Sequence, residues 1–278
     1  MSSHAVVSRV RRILGTRRVG HAGTLDPAAT GVLVLGVGPA TRLLHYLVGA
    51  DKEYLATMRL GVTTTTDDAE GDPVDRGDAS GLQPEEILAA VDRLTGDIDQ
   101  VPSAVSAIKV DGRRAYQRVR AGEDVDLRPR RVHVSSFTVV GMSRVDPGQL
   151  DLDVHVACSS GTYVRALARD LGRSLGVGGH LTALRRTRVG PFTLDDAVGL
   201  DDPPASLAAA VLHPSEAAGR FLPTRTLGAQ EAAAVRRGVA PAATGSPGPV
   251  ALLDPSHGLL AVAEDSGPRA ALRAVFVG

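Results

Sequence analysis

The chain has 278 residues, 43% of them hydrophobic and 22% charged, which is enough to bury one large or two unequal cores. Its 31 basic residues balance 31 acidic ones, so net charge taken alone argues against a nucleic-acid partner. No apolar run reaches the roughly 18 residues of a membrane helix and no basic segment leads into an apolar N-terminal stretch, so the reading is a cytoplasmic protein with no membrane partner.

Residues 3 to 14 read as a helix with Ser2 or Ser3 as N-cap, an apolar stripe of Val6, Val10, Ile13 and Leu14, and Gly15 as the stop. A glycine- and proline-punctuated loop follows, then a strand at 32 to 36 and a helix through Thr41 to Leu47. Glu53 to Gly61 reads as a strand and Thr63 to Gly81 as a polar loop. A helix opens at Pro84 and ends near Gly96, with Ile87, Leu88, Val91 and Leu94 on its buried side. Residues 101 to 131 are basic and weakly periodic, an excursion from the core. Val132 to Val145 and Leu150 to Cys158 form a hairpin around Asp146-Pro147-Gly148, and a helix runs from Thr162 to about Leu175. Pro203-Pro204 and the alanine-rich run to Gly219 read as a linker. Beyond it a helix at Gln230 to Arg237 and strands at Val250 to Leu253, Leu259 to Ala263 and Ala271 to Val277 make a small β-rich domain. This order suits an α+β fold with a mixed sheet better than a regular βαβ array.

Charge distribution points the other way from net charge. Only Lys52 and Lys109 are lysines, and arginines cluster at Arg9, Arg11, Arg12, Arg17 and Arg18, at 113 to 131, and at Arg185, Arg186 and Arg188. Arginine forks suit phosphates and stack on unpaired bases; the bland alternative is solvated faces balanced by Asp and Glu. Cys158, the lone cysteine, excludes an internal disulfide and a cysteine zinc site and reads as a buried thiol. The histidines lack paired ligand spacing, so no metal is expected. Gly36-Val37-Gly38 starts like a dinucleotide fingerprint but has Thr41 where the third glycine belongs. Asp67, Asp68, Glu70 and Asp72 lack calcium-loop spacing and read as a solvated loop. Asp26 stands out: turn chemistry around Asp26-Pro27 and an apolar anchor at Val32 to Leu35 would present its carboxylate at fixed geometry.

The run Val19-Gly20-His21-Ala22-Gly23-Thr24-Leu25-Asp26-Pro27 closely resembles the catalytic motif of the TruB family, the tRNA pseudouridine-55 synthases. That likeness implies that Asp26 is the catalytic aspartate. Lys52-Glu53-Tyr54 is similar to the family's Lys-x-Tyr motif, which implies that Tyr54 packs on the target base. Cys158 to Gly172 resembles the third motif at nearly every position and implies that Arg165 pairs with Asp26, holding it ionised and oriented. An arginine in the first turn of a helix is electrostatically poor without such a partner. Leu184 to Gly190 also resembles the family, implying that Leu184 lines the base pocket while Arg185 and Arg186 face RNA. Gln100 to Lys109, on through Tyr116, looks like the base of a thumb insertion at about 102 to 131 that grips the T-arm. On the same likeness His21 contacts RNA, as do Arg17, Arg18, Lys52, Lys109, Arg113 and Arg114.

The resemblance spans about residues 2 to 195, with a looser likeness of the C-terminal part to a PUA-like domain. It implies a pseudouridine-synthase domain over 1 to 212, a mixed and largely antiparallel sheet flanked by helices, and a PUA-like domain over 219 to 278. The expected activity isomerises uridine 55 in the T-loop of tRNA, with no cofactor and no obligate protein partner. Asp26 would either attack the sugar or base, or stabilise charge and take the C2′ proton. Family members carry a Lys-Pro-x-Gly strand shortly before the Ser-His segment, whereas this chain opens at Met1-Ser2-Ser3-His4. The runner-up reading that this suggests is a tRNA-binding or folding module without catalysis.

Overall fold

A computed structural model describes residues 1–103 and 127–276, together with the backbone of 109–110 and 113–114. These residues fall into two compact units: Leu25–Val32 with Gly49–Val189, and Met1–Thr24 with Leu33–Val48 and Gly190–Gly278.

The first unit holds, in chain order, β1 (Thr30–Gly31), β2 (Lys52–Leu60), β3 (Val62–Thr64), β4 (Pro73–Arg76), α1 (Pro84–Asp92), β5 (Gly96–Gln100), β6 (Arg130–Arg144), β7 (Leu150–Cys158), α2 (Val164–Ser174) and β8 (Gly179–Val189). Its main sheet runs β8-β2-β7-β6-β5, antiparallel throughout, and β1 adds to β8 in parallel. The strands obey the twofold alternation of a half-covered sheet. On β2, Lys52, Tyr54, Ala56, Met58 and Leu60 are buried, and on β7 so are Leu150, Leu152, Val154, Val156 and Cys158. The opposite face carries cross-strand polar pairs instead. Arg59 grips Asp151 through two bonds of 2.7 and 2.8 Å, and the Thr57 hydroxyl donates to Asp153 at 2.7 Å.

Both helices cover the buried face. Ile87, Ala90 and Val91 of α1 and Val164, Leu167, Ala168 and Leu171 of α2 join one core with Tyr54, Met58 and Leu152. Helix α1 starts as its Pro84 suggests, closed by the Gln83 N–H donating to Glu86 at 2.9 Å, but it stops at Asp92. Leu88, expected inside, is exposed, and Ala90 takes its place because the helix presents i, i+3 and i+4 from Ile87. The expected polar loop from Thr63 to Gly81 contains the β3–β4 hairpin, and β5 and β8 are strands that the sequence pattern did not announce.

The second unit opens with the helix Ser3–Ile13. Ser2 caps it, accepting from the Ala5 N–H at 3.2 Å, and Gly15 ends it with φ +62°. Its buried side carries Val7 and Val10, with Val6 only half-buried. The strand expected at 32 to 36 instead begins at Val34 and pairs, as Val34–Val37, with Val19–Ala22. The expected helix at 41 to 47 splits into a 3-10 turn, Gly38–Arg42, and a short helix, Leu44–Leu47. The expected linker is two short helices, Pro204–Ala209 and Pro214–Gly219, each opened by proline. The C-terminal sheet runs Thr224–Thr226, Val250–Leu253, Leu259–Ser266, Arg269–Val275, with Ala232 and Val235 of the helix Ala229–Arg236 on one face and Ala218 and Leu222 on the other. The α+β class therefore holds, with a distinct C-terminal β-sheet.

Candidate active site

Asp26 lies at the head of a turn, where its carbonyl accepts from the Ala29 N–H at 3.0 Å. The loop that carries it is pinned downstream by β8. Val32 N–H donates to the Arg186 carbonyl at 2.8 Å, and Arg186 Nε donates back to the Val32 carbonyl at 2.8 Å. Gly31 makes that approach feasible: its φ is +96°, and a Cβ there would stand 2.1 Å from the Arg186 carbonyl oxygen.

Arg165, in the first turn of α2, meets the Asp26 carboxylate as a two-pronged fork, Nε to Oδ2 at 2.9 Å and Nη2 to Oδ1 at 3.1 Å. Its remaining arm, Nη1, reaches Asp68 Oδ2 at 3.1 Å and the Thr66 carbonyl at 3.1 Å. The Arg165 side chain is 6% exposed and the Asp68 side chain 14%, while that of Asp26 is 41% exposed. The cation is thus fixed from within, and the Asp26 carboxylate keeps an open side toward a reactant.

Asp67 and Asp68, read from the sequence as solvated, turn inward. Asp67 takes φ +59° and pairs with Arg169 at 3.1 Å, while the Asp68 carboxylate accepts from the Thr66 hydroxyl and the Glu70 N–H. Only Glu70 and Asp72 of that acidic run are exposed. The start of α2 is held from β5: the Gln100 side chain accepts from the Tyr163 N–H at 2.7 Å and donates to the Tyr163 carbonyl at 3.1 Å. The sequence reading took Asp68 for a solvated acid and Gln100 for the start of the thumb base, and gave neither a place beside Arg165 or Tyr163. Their signal, an acid and an amide in polar stretches, is indistinguishable from surface without the fold.

Tyr54 is buried opposite Arg186 in the β2–β8 register and forms a side-chain hydrogen bond with it. Burial pushes its phenol up to about 12, with Arg186 pulling the other way and the charges of Cys158 and Asp26 adding to the rise. Leu184 is half-buried against the same core. Burial raises the Tyr163 phenol as well, in the field of Arg130, Asp26 and Arg165. The Cys158 thiol is buried and raised to about 11 for the same reason. The structure therefore joins Asp26 to Arg165 directly, and sets Tyr54 opposite Arg186 and within the electrostatic reach of Asp26.

The residues expected on RNA separate. Lys52 is buried, its Nζ donating to the Ala50 carbonyl at 2.7 Å, and burial followed by the Arg186 charge lowers its pKa. Arg186 is 1% exposed. Arg185 is exposed on β8, and in the other unit Arg17 and Arg18 are exposed while His21 is half-buried on the strand Val19–Ala22. The side chains of Lys109, Arg113 and Arg114 and most of the expected thumb at 102 to 131 lie outside the described residues. Among the described residues no group of three or more His, Cys, Asp or Glu side chains could hold a metal.

Residues 11–164 match the TruB family pseudouridylate synthase N-terminal domain, more than half of the chain. The chain belongs to the TruB family. Residues 165–222 match the C-terminal domain of tRNA pseudouridylate synthase B. A tRNA pseudouridine synthase B from Thermobifida fusca is 54% identical over 280 residues, covering 100% of this chain and 95% of that protein. One from Cutibacterium acnes is 59% identical over 239 residues, 86% of this chain and 80% of that protein. The TruB chain is also similar to a chain in a crystal structure of a Cbf5-Nop10-Gar1 complex, with TM-score 0.73 and 26% identity over 100% of this chain and 82% of that one. A second likeness, TM-score 0.71 at 25% identity over 100% of this chain and 82% of that one, is to an H/ACA RNP bound to a substrate RNA containing 2'-deoxyuridine.

Proposed function

We propose that this TruB-family protein isomerises uridine 55 in the T-loop of tRNA to pseudouridine, with Asp26 as the reacting carboxylate. One observation carries the residue assignment: a half-exposed carboxylate held by a buried two-pronged arginine, with its charge felt by a buried tyrosine. The reaction breaks the N1–C1′ bond, turns the uracil and rejoins it at C1′ through C5. The C5 proton leaves to solvent and N1 gains one, so neither redox change nor cofactor enters. Asp26 serves either as the nucleophile on sugar or base, or as the group that stabilises charge and takes the C2′ proton. The uridine must first leave its stack. Tyr54 and Leu184 then pack on the extruded base, Arg165 orients Asp26, and His21 with the exposed Arg17, Arg18 and Arg185 contacts the RNA, joined by Lys109, Arg113 and Arg114. Lys52 and Arg186 serve from inside the fold.

We assign residues 1 to 212 to the catalytic domain and 219 to 278 to a PUA-like domain, and place the protein in the cytoplasm. No helix among the described residues is long and apolar enough to cross a membrane. The alternative of a binding module without catalysis is set aside because 52–59% identity to tRNA pseudouridine synthase B relatives accompanies an assembled carboxylate, arginine and tyrosine. The test is tritium release from T-arm RNA labelled at C5 of uridine. Wild type should release tritium, while Asp26→Asn should bind the RNA normally and lose at least about 100-fold in turnover. A smaller loss in that variant would remove Asp26 from the chemistry.

A further inference from the structure

We propose that Arg186 is a positioning residue that ties the Tyr54 phenol to the trailing end of the Asp26 loop, and so sets the geometry between the base-contacting ring and the carboxylate. It is the largest fully buried side chain among the described residues, at 1% exposed, so it cannot serve as a phosphate contact from the protein surface. Taking a guanidinium out of water is costly, and an apolar chain of similar length would fill β8 at lower cost. What the guanidinium adds is geometry. It donates through Nε to the Val32 carbonyl at 2.8 Å, and the same residue's carbonyl accepts the Val32 N–H at 2.8 Å. That reciprocal pair closes the loop that begins at Asp26, and it needs Gly31, whose missing Cβ lets the strands meet.

On its other side Arg186 stands opposite Tyr54 in the β2–β8 register and hydrogen-bonds its side chain. A guanidinium only donates, so the phenol oxygen accepts there and the phenol's own O–H is left to point away from Arg186. The charges acting on that phenol come from Arg186 of β8, Cys158 of β7 and Asp26 of the loop. One side chain therefore touches both elements that the isomerisation needs in register, and a displacement of about 1 Å at such a distance is enough to cost about 100-fold in rate.

This inference rests on the Asp26 and Tyr54 reading. It is tested with full-length R186M, R186K, Y54F and R186M/Y54F, each assayed on a T-arm hairpin by tritium release and by filter binding. R186M should lower kcat by about 100-fold while KM and RNA affinity stay within about threefold. R186K, which keeps a donor and the charge, should recover about a tenth to a third of wild-type kcat. The losses in R186M and Y54F should fail to multiply, the double variant being at least about tenfold faster than their product. Multiplying losses, or a weakened RNA affinity at unchanged kcat, would overturn the proposal. If R186M fails to fold, the same cycle run with R186K decides: the R186K/Y54F double variant should match Y54F alone to within about twofold, and a further loss equal to that of R186K would overturn the proposal. An inactive wild type would sink the functional reading, whereas an active wild type with multiplying losses would sink only this one.

Discussion

Arg165 binds two carboxylates that differ in exposure, and that difference separates their jobs. Asp26 keeps an open side at 41% side-chain exposure, so its partner arginine orients it without burying it. Asp68, at 14%, faces inward and balances the same guanidinium from behind. Asp68→Asn keeps the shape but removes one of the two negative charges that hold this buried cation. Its hydrogen bond to Arg165 also becomes a poorer one, so the expected loss is about 1–3 kcal/mol of stability. Turnover should fall by about tenfold or more as Arg165 loses its fixed position, with RNA affinity little changed because Asp68 lies behind the site. Thermal unfolding and single-turnover kinetics on the same variant check both; a variant as stable and as fast as wild type would show that Asp68 does not hold Arg165.

At the scale of elements, the loop from Asp26 to Val32 works because β8 accepts it at close range. Gly31→Ala would demand φ +96° of an L side chain and drive a Cβ to 2.1 Å from the Arg186 carbonyl. The backbone must shift, at about 1–3 kcal/mol of strain, and Asp26 shifts with it. A lower Tm and a loss of turnover larger than the loss of affinity are expected; wild-type kinetics would mean the pinning is irrelevant to Asp26. A second loop shows how acid acts on the fold. Asp265 accepts from the Thr244 N–H and hydroxyl and from the Gly245 N–H at 2.7–2.9 Å, and the Thr244 backbone bond above all holds its pKa below the usual carboxylate value. Its contribution is therefore present above the unfolded value of about 4 and is lost as pH falls through the lowered folded value. Asp265→Asn should be less stable at neutral pH and show a flatter acid limb in thermal unfolding measured from pH 7 to 3. Elements like these also mark the limit of sequence reading. Asp26 stood out from its own turn and anchor strand, whereas Tyr54 and Arg165 were picked out only by the likeness of their runs to the family's motifs. Strand β5, Gly-Asp-Ile-Asp-Gln, was not legible, because its acids face Arg131 and His133 across the sheet and leave too little apolar alternation to see. Strand β8 hid for the opposite reason. A pattern that reads charge as surface places Arg186 outside, whereas partners distant in sequence, Val32 and Tyr54, draw it in.

Over the whole molecule, a formal charge of +0 conceals a division of labour among 29 arginines and two lysines, 31 basic residues in all. Some are structural: Arg59, Arg165, Arg169 and Arg220 are each spoken for by carboxylates. A buried or ion-paired arginine releases no counterions when RNA arrives, so only exposed ones contribute to the salt dependence of binding. Arg17 and Arg18 are exposed in the described structure, and Arg113 and Arg114 belong to the basic stretch read as the thumb. Replacing either pair with alanine should weaken T-arm binding at low salt and reduce the slope of log K against log salt by about 0.7–0.9 for each phosphate that is no longer neutralised. Single-turnover kcat at saturating RNA should stay near wild type, since neither pair belongs to the Asp26, Arg165 and Tyr54 cluster. Filter binding over a salt series, with matched kinetics, checks this. An unchanged slope with reduced kcat would move these arginines from the RNA grip to the chemistry, and would mean that the neutral net charge, not the clusters, describes how the protein meets its substrate.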